Sequence, residues 1–211
     1  MKNLANKSLK FLSFFSMIIS FLIISSCDNK PIISSKFNSN RNISTVYYTE
    51  LDKKIDSLVF DSYYGKDSIS IFSENTWKYT YLERCGTGCS SRKTALLSIY
   101  RNRLINNLLF ESYYKEFELG DATFKKNYIR KTEIIKKENG LFLKRTCLRN
   151  DVEFYSKTEK IFFDQDKHLF YNNKFNFEGK EYYGVSIDSS EYIYYKDKWF
   201  DFDSRVSKVY Q

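Results

Sequence analysis

A mainly β, antiparallel fold is predicted by three features of the sequence. From Asp67 onward apolar and polar residues alternate with period two. Ile69 and Ile71 alternate with serines, and Trp77, Tyr79 and Tyr81 alternate with Lys78, Thr80 and Leu82. Such alternation sends successive side chains to opposite faces of a strand. Aromatic residues fill many of these positions, with 19 Phe and 18 Tyr among 211 residues, and they suit a half-buried pleated surface. Short polar turns separate the apolar segments throughout the C-terminal half, as in hairpin-linked strands. The expected architecture is an antiparallel meander sheet or a barrel-like domain with one N-terminal helix.

Composition narrows the class. Hydrophobic residues are 42% of the chain and charged residues 28%, which is enough apolar surface for a core and excludes a disordered chain. A single His argues against His-dependent catalysis and His-rich metal sites. The length suits one domain, or two small ones.

The first element is a targeting segment. Lys2, Lys7 and Lys10 precede Phe11–Ser26, a stretch with 11 apolar residues and 5 serines. A charged region followed by an apolar one is a signal-peptide pattern, too short to span a bilayer. The stretch ends Ile24-Ser25-Ser26-Cys27. That ending resembles the lipobox of bacterial lipoproteins: an aliphatic residue, two small residues, then Cys. The resemblance covers only these first 27 residues. It implies cleavage after Ser26, and lipidation of Cys27 by a diacylglycerol-type anchor with acylation of the new amine. Several acyl chains on one residue give the stable anchoring that one chain cannot. The implied address is the bacterial cell envelope, the outer membrane favoured over the inner and the leaflet open. Loss of residues 1–26 leaves 31 basic and 26 acidic residues, a net charge of +5. The charge is mild and spread out, with no basic-aromatic run for nucleic acid.

Residues 27–44 are expected to be the lipidated Cys and a flexible polar tether, with Pro31 the only proline. A single domain is expected over 45–211. Within it, Thr49–Tyr64 is predicted helical: Thr49 is placed to cap it, Leu51, Ile55, Leu58 and Val59 follow helical spacing, and Gly65 ends it. Strands follow over Trp77–Leu82 and Thr94–Tyr100. Residues Arg101–Leu119 fit either a helix or a strand, with strands favoured. Asn139-Gly140 predicts a two-residue hairpin loop opposing Glu138 to Leu141. Counting outward, Thr132, Ile134 and Lys136 share the more apolar face with Leu141, Leu143, Arg145 and Cys147, which turns Cys147 toward a core. Short strands are then expected over Val152–Tyr155, Lys160–Phe163, His168–Tyr171, Phe175–Phe177, Glu181–Ile187, Glu191–Tyr195 and Trp199–Phe202.

Two segments carry candidate chemistry. In Arg84-Cys85-Gly86-Thr87-Gly88-Cys89, glycines between two cysteines ease a tight closure. In an oxidising envelope compartment this favours a Cys85–Cys89 bridge and leaves Cys147 a buried free thiol. Cys85–Cys147 and Cys89–Cys147 are the rival pairings. The three-residue spacing does not suit a redox pair. A zinc set of Cys85, Cys89, Cys147 and His168 lacks finger spacing, so no metal is assigned. The second segment, Tyr192–Phe200, is the densest in aromatics. Tyr192, Tyr194 and Trp199 are its candidates for stacking against a sugar ring, core packing being the competing role.

No catalytic triad or cofactor motif is visible, so no enzyme activity, catalytic residue or cofactor is assigned. The expected function is a non-catalytic binding or structural role at a membrane surface, with an unknown protein or glycan as partner. The alternatives are a carbohydrate-binding module using the C-terminal aromatics, or an inhibitor or immunity-type protein presenting the Cys85–Cys89 loop.

Overall fold

The computed structural model describes residues 31–86, 88–118, 126–177, 179–187, 190–196 and 198–201. Cys27 and the expected signal segment, residues 1–26, lie outside them. Every regular element among the described residues is a β-strand, and every strand pairing is antiparallel.

Three sheets form, each a meander in chain order. The first holds β1 (Ile32–Asn38), β2 (Ile43–Glu50) and β3 (Lys53–Asp61). The second begins with β4 (Ser68–Ser73), β5 (Thr76–Glu83), β6 (Cys89–Tyr100) and β7 (Arg103–Glu118). It continues through β8 (Lys126–Lys137), β9 (Gly140–Arg149), β10 (Val152–Asp164) and β11 (Leu169–Tyr171). The third holds β12 (Asn173–Phe177), β13 (Lys180–Ile187), β14 (Ser190–Tyr195) and β15 (Lys198–Asp201). Among the described strands the large sheet is open, with β4 and β11 at its ends, as in a meander rather than a closed barrel.

Strand β7 joins the three sheets. It pairs with β6 along almost its whole length, but with β8 only from Tyr113 to Glu118. The first half of β7 therefore has an edge that β8 does not cover, and unpaired backbone groups there need partners. Two come from the smaller sheets. Asp56 of β3 accepts the Leu104 amide at 2.8 Å, and the Trp199 indole of β15 donates to the Asn106 carbonyl at 2.8 Å. The shared core lies around this strand, with Leu104, Leu108 and Phe110 of β7 packed among Val46, Phe60, Tyr79, Leu96, Val185 and Tyr192.

A second link is Arg145, a side chain with no solvent exposure. Its Nε donates to Thr132 Oγ1 at 3.1 Å and its Nη1 to the Ile187 carbonyl at 2.7 Å, tying β9 to β8 and to β13. A third polar link pins the first sheet to the second. The Asp67 carboxylate accepts hydrogen bonds from Ser44, from Ser62 at 2.7 Å and from Tyr79 at 2.8 Å. Burial, opposed by the hydrogen bond with Ser44 and aided by the Asp67 charge, pushes the Tyr79 hydroxyl far above the ordinary tyrosine range.

Three expectations are corrected. Thr49–Tyr64 is not helical: it ends β2, turns at Leu51-Asp52 and forms β3. The helical spacing counted Leu51, Ile55 and Val59, yet all three face solvent. The buried positions, Val46, Tyr48 and Phe60, belong to the paired strands, where ladder hydrogen bonding outweighs a weak local propensity. The tether expected over 27–44 contains β1, so ordered strand begins at Ile32. Finally, the β8–β9 loop is Glu138-Asn139, with Lys137 opposite Gly140 and Lys136 opposite Leu141. The register differs by two residues from the expected one. An even shift keeps every side chain on its face. Thr132, Leu143, Arg145 and Cys147 are accordingly buried together, as predicted.

Candidate functional site

The three sheets leave a cleft of about 550 Å³ where they meet. Its walls are the β6–β7 turn with Tyr100 and Arg103, Leu58 of β3, the β10–β11 turn with Asp166 to His168, β13 with Glu181 to Tyr183, and the end of β14 with Tyr194 to Lys196. Tyrosines from three different strands line it: Tyr100 at the end of β6, Tyr182 and Tyr183 of β13, and Tyr194 and Tyr195 at the end of β14.

His168 organises one wall. Its backbone is left-handed, at a φ of 51°, which ends the β10–β11 turn. The imidazole stacks on Tyr100 with centroids 3.5 Å apart, and Phe163 meets it edge-on at 5.6 Å. Its carbonyl accepts a hydrogen bond from the buried Asn107 amide of β7. The same turn is closed by Asp164, whose carboxylate accepts the Lys167 amide at 2.8 Å. That bond, with the Tyr183 hydroxyl assisting against partial burial, holds the Asp164 carboxyl below its usual range. Reciprocally, the hydrogen bond to Asp164 raises the Tyr183 hydroxyl above its usual range.

Cations lie on ring faces in this region. Lys167 Nζ sits 3.9 Å from the Tyr183 centroid, and Lys196 Nζ 5.0 Å from that of Tyr195. Glu181 bonds Lys174 at 2.9 Å, which raises the lysine's pKa. Tyr182 and Tyr195 meet edge-on at 5.6 Å. The cleft thus offers aromatic faces, hydroxyls and both signs of charge, a lining suited to holding a polar ligand with apolar ring faces.

The predicted aromatic candidates divide. Tyr192 is 3% exposed and Trp199 is 9% exposed, so both are core residues and neither presents an open ring. Lys93 Nζ stands 5.5 Å from the Tyr192 ring and Tyr194 packs 5.3 Å from Trp199. Only Tyr194 of the three lines the cleft. Sequence reasoning missed Tyr100, which is remote in the chain from the other cleft tyrosines, and the adjacent pair Tyr182 and Tyr183. The one available signal was the dense segment 192–200, whose Tyr194 and Tyr195 do reach the cleft.

The cysteines stand away from this site. Cys85 and Cys89 are bonded to each other, their Cα atoms 5.9 Å apart, across the β5–β6 hairpin. Gly86 and Gly88 adopt φ of 100° and 83°, which closes the short loop. Bonded to each other, they supply no thiolate to a zinc set. Cys147 is a buried free thiol beside the Tyr128 hydroxyl at 3.6 Å.

No family model matches the chain, and it has no match among curated proteins or among solved structures.

Proposed function

We propose that the protein is a lipid-anchored envelope protein whose β-domain binds a small glycan, without chemistry, in the cleft between its sheets. One observation carries the binding reading: the tyrosine-lined cavity of about 550 Å³ shared by all three sheets. Its size suits a small-molecule ligand. The CH faces of a sugar ring stack on tyrosine, and its hydroxyls pair with groups such as Asp166, Glu181 and Arg103. The anchor rests on the sequence alone, through the lipobox-like ending at Cys27.

Calorimetric titration of the full chain in detergent with cell-wall and environmental oligosaccharides tests the ligand class. Tyr182→Ala and Tyr195→Ala should each weaken binding by about tenfold, or about 1.4 kcal/mol, with circular dichroism unchanged. No heat with any oligosaccharide, or full affinity in both variants, would refute the reading. The anchor is tested separately: cells fed a labelled fatty acid should label the protein, and Cys27→Ala should remove the label. Labelling that survives the substitution would refute the anchor and leave the cleft untouched.

A further inference from the structure

Leu51, in the β2–β3 turn, is unfavourably placed in two ways. It is 67% exposed, and its backbone is left-handed at a φ of 49°. The first leaves a large apolar side chain in water, and the second is a conformation that Gly, Asn or Asp adopts more easily. The comparable two-residue tips, Glu74-Asn75, Arg101-Asn102, Glu138-Asn139 and Asn150-Asp151, are polar throughout. Backbone strain that the fold does not require points toward a use for the residue that bears it.

Leu51 has apolar company at the same end of the first sheet. The register sets Ile32 against Thr49 and Thr49 against Lys54, so these three form the row beside the turn. Ile32 and Ile55 are exposed as well. Lys54 lays its Nζ over the Tyr47 ring, 3.7 Å from the centroid. Tyr and Lys each combine an apolar body with a polar tip, which suits the headgroup level of a bilayer. Formal charges at the turn cancel, Glu50 and Asp52 against Lys53 and Lys54, so attraction there is apolar rather than electrostatic.

The position of Cys27 says what this end faces. Only residues 28–31 separate it from Ile32. That stretch reaches at most about 18 Å even when fully extended. With Cys27 acylated, Ile32 and the turn beside it are kept near the membrane surface. The far end of β3, a strand of 9 residues, lies about 30 Å along the sheet.

We propose that the Leu51 turn, with Ile32 and Ile55, dips into the lipid bilayer that holds the anchor, as a second contact with the same membrane. This inference rests on the anchor reading and is independent of the glycan one. The acyl chains fix the attachment, and the apolar turn fixes the orientation. Leu58 of the cleft wall lies on the same strand, so the contact holds that wall within about 23 Å of the headgroups.

The test uses the full chain, purified from bacterial membranes and returned to phosphatidylethanolamine–phosphatidylglycerol vesicles that contain nitroxide-labelled lipid. Introduced cysteines carry an environment-sensitive dye. Cys85 and Cys89 are bonded and Cys147 is buried, so none of them competes for it. A dye at Leu51→Cys should be quenched about threefold more than one at Tyr64→Cys, as for a group seated below the headgroups. Tyr64 is just as exposed, at 69%, but lies beyond the other end of β3. Leu51→Asp, which tolerates the left-handed backbone, should cut the quenching of a dye at Ile55→Cys to about half or less. Intact mass of the same sample reads the anchor. Acylated protein with equal quenching at positions 51 and 64, or with no effect of Leu51→Asp, would overturn the contact and leave the anchor standing. Protein with no acyl group on Cys27 would overturn both.

Discussion

Arg145 shows how one side chain can set the relation between two sheets. A guanidinium without solvent exposure is costly to bury, and it is tolerated where its donors find acceptors. Two of those acceptors lie on different sheets, Thr132 on β8 and the Ile187 carbonyl on β13. Arg145→Ala should therefore lower stability by about 3 kcal/mol, combining an unsatisfied buried carbonyl with a cavity. Denaturant unfolding monitored by tryptophan fluorescence checks this, and a loss below about 1 kcal/mol would show that the fork is dispensable. The sequence placed Arg145 on the right face of β9 by alternation alone. Its acceptor at Ile187 could not be read, because it is a backbone group 42 residues away.

Turns set the hairpins, and several use residues that rarely occupy them. Leu51-Asp52, Arg101-Asn102 and Asn150-Asp151 each place two consecutive residues at positive φ, and each closes a two-residue hairpin loop. Such turns match the right-handed twist of their strands, and Asn and Gly fill them most easily. Leu51 is the poorest fit, since it holds a φ of 49° with its side chain in water. Leu51→Asn should stabilise the protein by about 0.5–1 kcal/mol through relief of that conformation. A urea midpoint that stays put or falls would contradict this. The same turn explains why the helix expected over Thr49–Tyr64 does not form. No Gly or Asn-Gly pair marks the reversal, so local pattern pointed to helical spacing where pairing between β2 and β3 prevails. By contrast, Asn139-Gly140 announced its hairpin. The register moved by two residues because Gly140, at a φ of 129°, opens β9 instead of sitting in the loop.

At the scale of the whole molecule, β7 is the organising strand. Its partial separation from β8 leaves an edge that the first and third sheets complete, through Asp56 and Trp199. That arrangement opens the cleft, so the site is a by-product of how three meanders share one strand. It also explains why Trp199, a candidate ligand platform in the sequence with core packing as the competing role, is a core residue: its indole finds a backbone acceptor on β7. The antiparallel class, most strand positions, the buried face carrying Cys147 and the Cys85–Cys89 pairing were all legible in the sequence. Each depends on residues near one another in the chain, through period-two alternation or the conformational freedom of glycine. The division into three sheets and the convergence of Tyr100, His168, Tyr183 and Tyr194 were decided only by the tertiary structure. Contacts between strands far apart in sequence leave no local signature, because alternation reports which side of a strand is buried and not what covers it.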